Sequence, residues 1–230
     1  ILGENVLFVY TADHGAAVPF GKWTLFEAGI RSPFIFAWPG KIAAGQRTDA
    51  MVSWVDLLPT LVDLGGGTNR KGIDGGSFLP VLLGNKDYHR KFIFASHVGD
   101  GKQNYSPSRS VSDGRWKYIR YLADEYMFTT HQDLNNNRSF APFHPEWLAI
   151  AEAGHAGAQE IIRRYYLPAE EHLYDLESDP FEQHNLAKDK QYAGVRSHLS
   201  GVLNDWMRSQ GDDGIDEGSS FFKREGAIHS

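Results

Sequence analysis

Residues Val6–Tyr10, V-L-F-V-Y, are β-branched, aliphatic and aromatic with no polar alternation. Such a run reads as a strand buried on both faces, the kind found inside a parallel or mixed sheet covered on each side. It ends at Thr11-Ala12 and delivers Asp13, His14 and Gly15 at its carboxyl end. Open α/β sheets collect their ligands there, outside the strand termini. A carboxylate beside an imidazole, followed by a glycine that frees the backbone, makes one half of a metal site. Lys22 follows nine residues after Asp13, and its point charge suits an anionic group held next to a cation. The tripeptide also has a plainer reading, in which Asp13 caps the next segment and His14 is solvated.

The rest of the chain narrows the class. With 230 residues, 41% of them hydrophobic and 13% aromatic, there is material for one sizeable core. A net charge of −6 leaves no electrostatic footprint for nucleic acid. The absence of cysteine excludes a disulfide framework, a thiolate metal site and a cysteine nucleophile. No apolar run reaches transmembrane length, and no charged-then-apolar leader is visible in this chain. A buried strand so close to Ile1 lacks the neighbours it needs, which predicts that further sheet comes from residues outside this sequence.

The pattern predicts a second buried strand at Phe34–Trp38, closed by Pro39-Gly40. Asp56 reads as the N-cap of a helix over Leu57–Leu64, with Pro59 in its first turn. A further strand over Phe92–Ala95 ends at Ser96-His97. A histidine there is more often a surface or capping group, but the mouth of the same sheet makes His97 a substrate-contact candidate. Arg109–Tyr121 reads as a hairpin turning at Asp113-Gly114, with one face on the core. Asn135–Asn137 and Phe140–Pro145 read as loop, and Glu146–Tyr166 as a helical stretch interrupted at Gly154 and Gly157. Tyr192, Val195, Leu199, Leu203 and Trp206 recur at helical spacing and predict an amphipathic closing helix. Gly211–Ser230, acidic and rich in Gly and Ser, reads as a mobile tail in which Phe221-Phe222 is a docking candidate.

Several of these stretches share an order. D-H-G, then Lys22, then T-L-x-E-x-G-I-R-x-P and a strand ending in W-P-G resemble the sulfatase family of the alkaline phosphatase superfamily. S-W-V-D-L-L-P-T-L-V-D-L at 53–64, the segment 73–84, and L-Y-D-L-x-x-D-P-x-E-x-x-N-L-A at 173–187 extend the likeness over most of the chain. Within the family, Lys22, the F-A-S-H of 94–97, the R-S-V of 109–111 and R-Y-Y followed by E-H-L-Y-D resemble the N-sulfoglucosamine sulfohydrolase (heparan sulfamidase) group. That group usually carries Asn where His14 stands. Ser106-Pro107-Ser108-Arg109 is not the family's nucleophile motif, because Tyr105 occupies the nucleophile position; it reads as a loop near the substrate cleft.

The resemblance implies an α/β fold: part of an alkaline-phosphatase-like mixed sheet flanked by helices, plus a small C-terminal α+β subdomain with an antiparallel sheet. It divides the chain into 1–100 in the catalytic α/β domain, 101–210 in the subdomain with its closing helix, and 211–230 as tail. It implies the carboxyl-terminal half of an enzyme whose partner is its own amino-terminal half, inactive in isolation, and a periplasmic, secreted or lysosomal setting. The substrate implied is a sulfated glycan or aryl sulfate, with neither nucleic acid nor a membrane span. It implies Asp13 and His14 as metal ligands, Lys22 as a catalytic and substrate-binding cation, His97 in substrate binding, and a formylglycine nucleophile supplied by the other half. The cofactor implied is Ca²⁺; an imidazole ligand keeps Zn²⁺ or Mn²⁺ open. A phosphatase, phosphodiesterase or phosphonate hydrolase on the same scaffold, or a non-catalytic fragment, is the alternative.

Overall fold

Two strands with aromatic and aliphatic side chains on both faces pair near the start of the chain, and among the described residues no further strand joins them. In the computed structural model, which describes residues 5–99, 105–123, 127–130 and 144–214, β1 (Phe8–Thr11) and β2 (Phe34–Ala37) form a two-stranded antiparallel sheet. Tyr10 opposes Ile35 and Phe8 opposes Ala37, so these four share one face. That face is open: Tyr10 is 65% exposed and Ile35 58%. The other face carries Phe34 and Phe36, whose rings lie 5.7 and 5.5 Å from the buried Phe78. The expectation of strands buried on both faces over 6–10 and 34–38 is therefore corrected. The run does form strands, but the ribbon has a covering layer on one side only.

These strands belong to a first unit, residues 1–13 and 32–93. Its helix α2 (Leu57–Leu64) falls where predicted, after a 3₁₀ turn over Trp54–Asp56. Asp56, however, does not cap α2 with its side chain. Its carboxylate closes a capping box with Ser53, accepts from Gly76 N at 2.8 Å, and takes both Nε and Nη2 of Arg90. Burial alone would raise this carboxyl, yet the Arg90 guanidinium and the two backbone donors together hold it below the usual range. The carboxylate is thus committed to locking three loops together. α1 (Glu27–Ile30) belongs to the second unit, and the short α3 (Leu79–Leu82) to the first.

The second unit comprises residues 14–31 and 94–230. Its sheet has the order β3-β4-β5-β6, with β3 at Ile93–His97, β4 at Ser108–Ser112, β5 at Trp116–Tyr121 and β6 at Glu171–Asp175. The β4–β5 and β5–β6 pairs are antiparallel. The hairpin turns where predicted, with Gly114 at φ +97° and Asp113 Oδ1 accepting from the amides of Arg115 and Trp116. One face is covered by the closing helix, here α6 (Ala193–Ser209), through the fully buried Leu199 and Leu203. The opposite face packs Ile119, Tyr121 and Tyr174 against Leu25 and Phe26. The hairpin was expected to have only one face on the core; both are buried, and Lys117 and Tyr118 alike are inaccessible.

Two helices, α4 (His144–Glu152) and α5 (Ala156–Tyr166), replace the single interrupted stretch. The break is at Gly154, φ +91°, whereas Gly157 lies inside α5. Ser108 and Arg109 are buried strand residues, not a cleft loop. The tail also begins later than predicted. Arg109 pairs bidentately with Asp212 and donates to Gly214 O, so 211–214 is anchored. Of the loops expected at 135–137 and 140–145, His144 and Pro145 instead open α4, while the remainder and Phe221-Phe222 lie outside the described residues.

Candidate active site

The segment from His14 to Arg31 carries the predicted cation and is bound tightly into the second unit. Gly15 N donates to Gly29 O at 2.8 Å, and Gly21 N and Lys22 N donate to Val18 O and Ala16 O. Thr24 Oγ1 bonds Gly21 O and Phe20 O. Two glycines permit this compaction: a Cβ at Gly15 would meet Ala28 O at 1.8 Å, and one at Gly21 would meet Ala16 O at 2.2 Å. Phe20 seats its ring edge-on against Phe26 and Tyr165, and Arg164 lies over its face.

Two non-glycine residues in this loop sit in the left-handed region, Phe20 at φ +62° and Trp23 at φ +70°. For bulky side chains each such residue costs about 1–3 kcal/mol, tolerated only where the surroundings over-determine it. They bracket Lys22. Its ammonium lies over the neighbouring Trp23 ring, 4.9 Å from the centroid.

Beneath the loop is a buried charge cluster. Lys117 Nζ, reaching from β5, is 2.9 Å from Glu27 Oε1 and 3.2 Å from Glu182 Oε1. Lys117 is 0% exposed and Glu182 2%. Glu182 Oε2 accepts from Glu27 N at 2.5 Å, satisfying an amide at the start of α1. Burial pushes the Glu182 carboxyl up, and Lys117 opposes this. The cluster ties the Lys22 segment to the sheet by charge as well as by Leu25 and Phe26. None of these three was singled out from the sequence. The signal was present: Lys117 is in phase with Ile119 and Tyr121 on the packed face of β5, which demands a buried partner.

The four predicted residues fall as follows. Asp13 closes the first unit with an exposed side chain. His14 opens the second, half-buried, with Nδ1 2.8 Å from Gly15 O. A carbonyl can only accept, so Nδ1 is the donor in this contact. A backbone carbonyl fixing the tautomer in this way is the usual support of a metal-ligating histidine. Lys22 and His97 are both half-buried in the second unit. Ala95 packs on the cluster containing Phe26, and strand alternation puts His97 on that same face, the one that carries the Lys22 segment. His97 O is held at 3.0 Å by Arg109 Nη1. Among the described residues, no three His, Asp or Glu side chains are grouped to hold a metal. No helix among them is long and apolar enough to cross a membrane.

The α/β framework with its antiparallel sheet agrees with the comparisons. The chain belongs to the sulfatases of the alkaline phosphatase superfamily. More particularly, residues 14–139 match the family described as N-sulphoglucosamine sulphohydrolase, C-terminal. The chain is 33% identical over 213 residues to an ulvan-active sulfatase of Formosa agariphila, covering 92% of this chain and 39% of that protein. It is 29% identical to human N-sulphoglucosamine sulphohydrolase, covering 89% and 42%. A solved 2-O GAG sulfatase superposes with a TM-score of 0.64 at 25% identity, covering 90% of this chain and 37% of that one. The chain thus spans about two fifths of the length of the curated relatives it matches.

Proposed function

We propose that this chain is the carboxyl-terminal part of a sulfatase that hydrolyses sulfate esters or sulfamates on a glycan. The observation that carries the reading is the over-determined loop that presents Lys22 within a family of sulfatases. Lys22 binds the sulfate oxygens and offsets the negative charge that grows on them as the S–O or S–N bond breaks. Because the loop is already fixed by its backbone bonds, little reorganisation is needed when charge develops. His97, on the same sheet face, orients the sugar by hydrogen bonding.

Asp13 and His14 suit a divalent cation: one offers an exposed carboxylate, the other an imidazole whose Nδ1 is already engaged. Ca²⁺ is the proposed ion, completed by carboxylates from the amino-terminal half, and the Nε2 donor favours Zn²⁺ or Mn²⁺ if His14 coordinates directly. When bound, the cation would lower the pKa of the attacking hydroxyl, proposed to be that of a formylglycine hydrate in that other half. The open face of Phe8, Tyr10 and Ile35 supports docking of the same half, which would cover that face.

The test is substrate preference of the full-length protein. An aryl sulfate, an aryl phosphate, and N- and O-sulfated glucosamine are assayed side by side with and without added Ca²⁺. Turnover of sulfate over phosphate is expected; preference for the phosphate would replace this reading with a phosphoryl-transfer enzyme on the same scaffold.

A further inference from the structure

The geometry points to Trp23 as a positioning residue for Lys22, a role that rests on the sulfate-binding function proposed above for that lysine. Neighbouring side chains in a strand project to opposite faces, and neighbours on a helix do not face each other, so residues 22 and 23 do not normally touch. Here φ at Trp23 is +70°, and φ is the torsion that sets where a side chain lies relative to the preceding residue. The left-handed turn brings the indole back beneath the ammonium of Lys22, 4.9 Å from ring centroid to Nζ. A tryptophan pays a steric penalty in this conformation that glycine would avoid, yet an indole, the aromatic face that attracts cations best, occupies it.

The backbone around it is bonded on each side. Lys22 N donates to Ala16 O at 2.9 Å and Thr24 N to Gly21 O at 3.1 Å. Gly21 cannot accept a Cβ, so the lysine's own backbone has no slack. What remains free is the long Lys22 side chain, with four rotatable bonds. The indole face confines that freedom. It holds the ammonium where the loop aims it, so the ordering of the charge is already done before the anion arrives. Trp23 itself needs no contact with substrate.

A double-mutant cycle in the full-length protein tests this, using steady-state hydrolysis of an aryl sulfate. Trp23→Leu is expected to lower kcat roughly tenfold, the scale of one partly desolvated cation–π contact, with KM moving less than about twofold. Trp23→Phe, which keeps an aromatic face, restores most of the loss. Trp23→Gly meets a φ of +70° without steric cost, so it folds, and it shows the same loss as Trp23→Leu. In a Lys22→Ala background, Trp23→Leu has no further effect. Equal loss from Trp23→Leu with and without Lys22, or full activity in Trp23→Gly, overturns the inference while leaving the lysine's role intact. Unchanged kcat in Lys22→Ala alone overturns the lysine reading, and this inference falls with it.

Discussion

The β1–β2 ribbon and the β3–β6 sheet are built from similar side chains and end in opposite states. On the ribbon, Phe8, Tyr10 and Ile35 stand open; on the sheet, Tyr118, Ile119, Leu173 and Tyr174 are completely covered. The sheet finds both covering layers within its own unit, α6 on one face and Leu25 with Phe26 on the other. It even buries a lysine, because two glutamates are brought to it. The ribbon has one partner layer, around Phe78. Apolar composition therefore marks surface that seeks a partner, and which surface is satisfied depends on what the topology brings to it.

The sharpest way to break this comparison is at the buried cation. Lys117→Met keeps the stem's volume and removes the charge, stranding Glu182. It is expected to cost about 3–5 kcal/mol in denaturant unfolding of the second unit, as for other buried pairs that lose one partner. A loss below 1 kcal/mol would mean that the sheet depends on apolar contacts alone. Lys22→Ala should lower kcat by about 10²-fold, equivalent to one lost charge-stabilising donor, without altering thermal stability. A rate that survives the change removes Lys22 from the sulfate site.

Acid should weaken the sheet through His172. Burial drives this ring down to about 4, and its Nδ1 lies 2.7 Å from Tyr174 Oη. The folded state keeps it neutral while the unfolded chain takes up a proton below about 6.5. The contribution is therefore fully present above pH 6.5 and is lost progressively as pH falls toward 4. Glu182, pushed up by burial, opposes this trend by protonating more readily in the folded state. His172→Leu should flatten the slope of melting temperature against pH between 6.5 and 4; an unchanged slope assigns the acid sensitivity elsewhere. The smallest effect is expected on the ribbon: Tyr10→Ser should change the stability of this chain by no more than about 0.5 kcal/mol, as for other exposed positions. The same change in the full-length protein should cost more if the open face docks further sheet, and equal costs would rule that docking out.

Much of this was legible locally. The Asp113-Gly114 hairpin, the Leu57–Leu64 helix, the strand ending at His97 and the closing helix all declare themselves through turn chemistry or periodicity. Those signals act over a few residues, so no knowledge of the remainder is required. The Asp56 carboxylate was misread for the complementary reason: a cap is local, and Arg90, 34 residues on, competes for the same oxygens.

By itself, the sequence determined the family and the order of the main elements and singled out Lys22 as a candidate, since these rest on motifs and short-range spacing. Only the tertiary structure decided that Trp23 turns left-handed beneath Lys22, that Lys117 joins Glu27 to Glu182, and that Arg109 fastens Asp212. Each of these unites residues through space or through a backbone torsion that neighbouring bonds impose. A buried charge can announce that it needs a partner, but only the folded chain supplies which one, because desolvation makes the choice after the surrounding layers have closed.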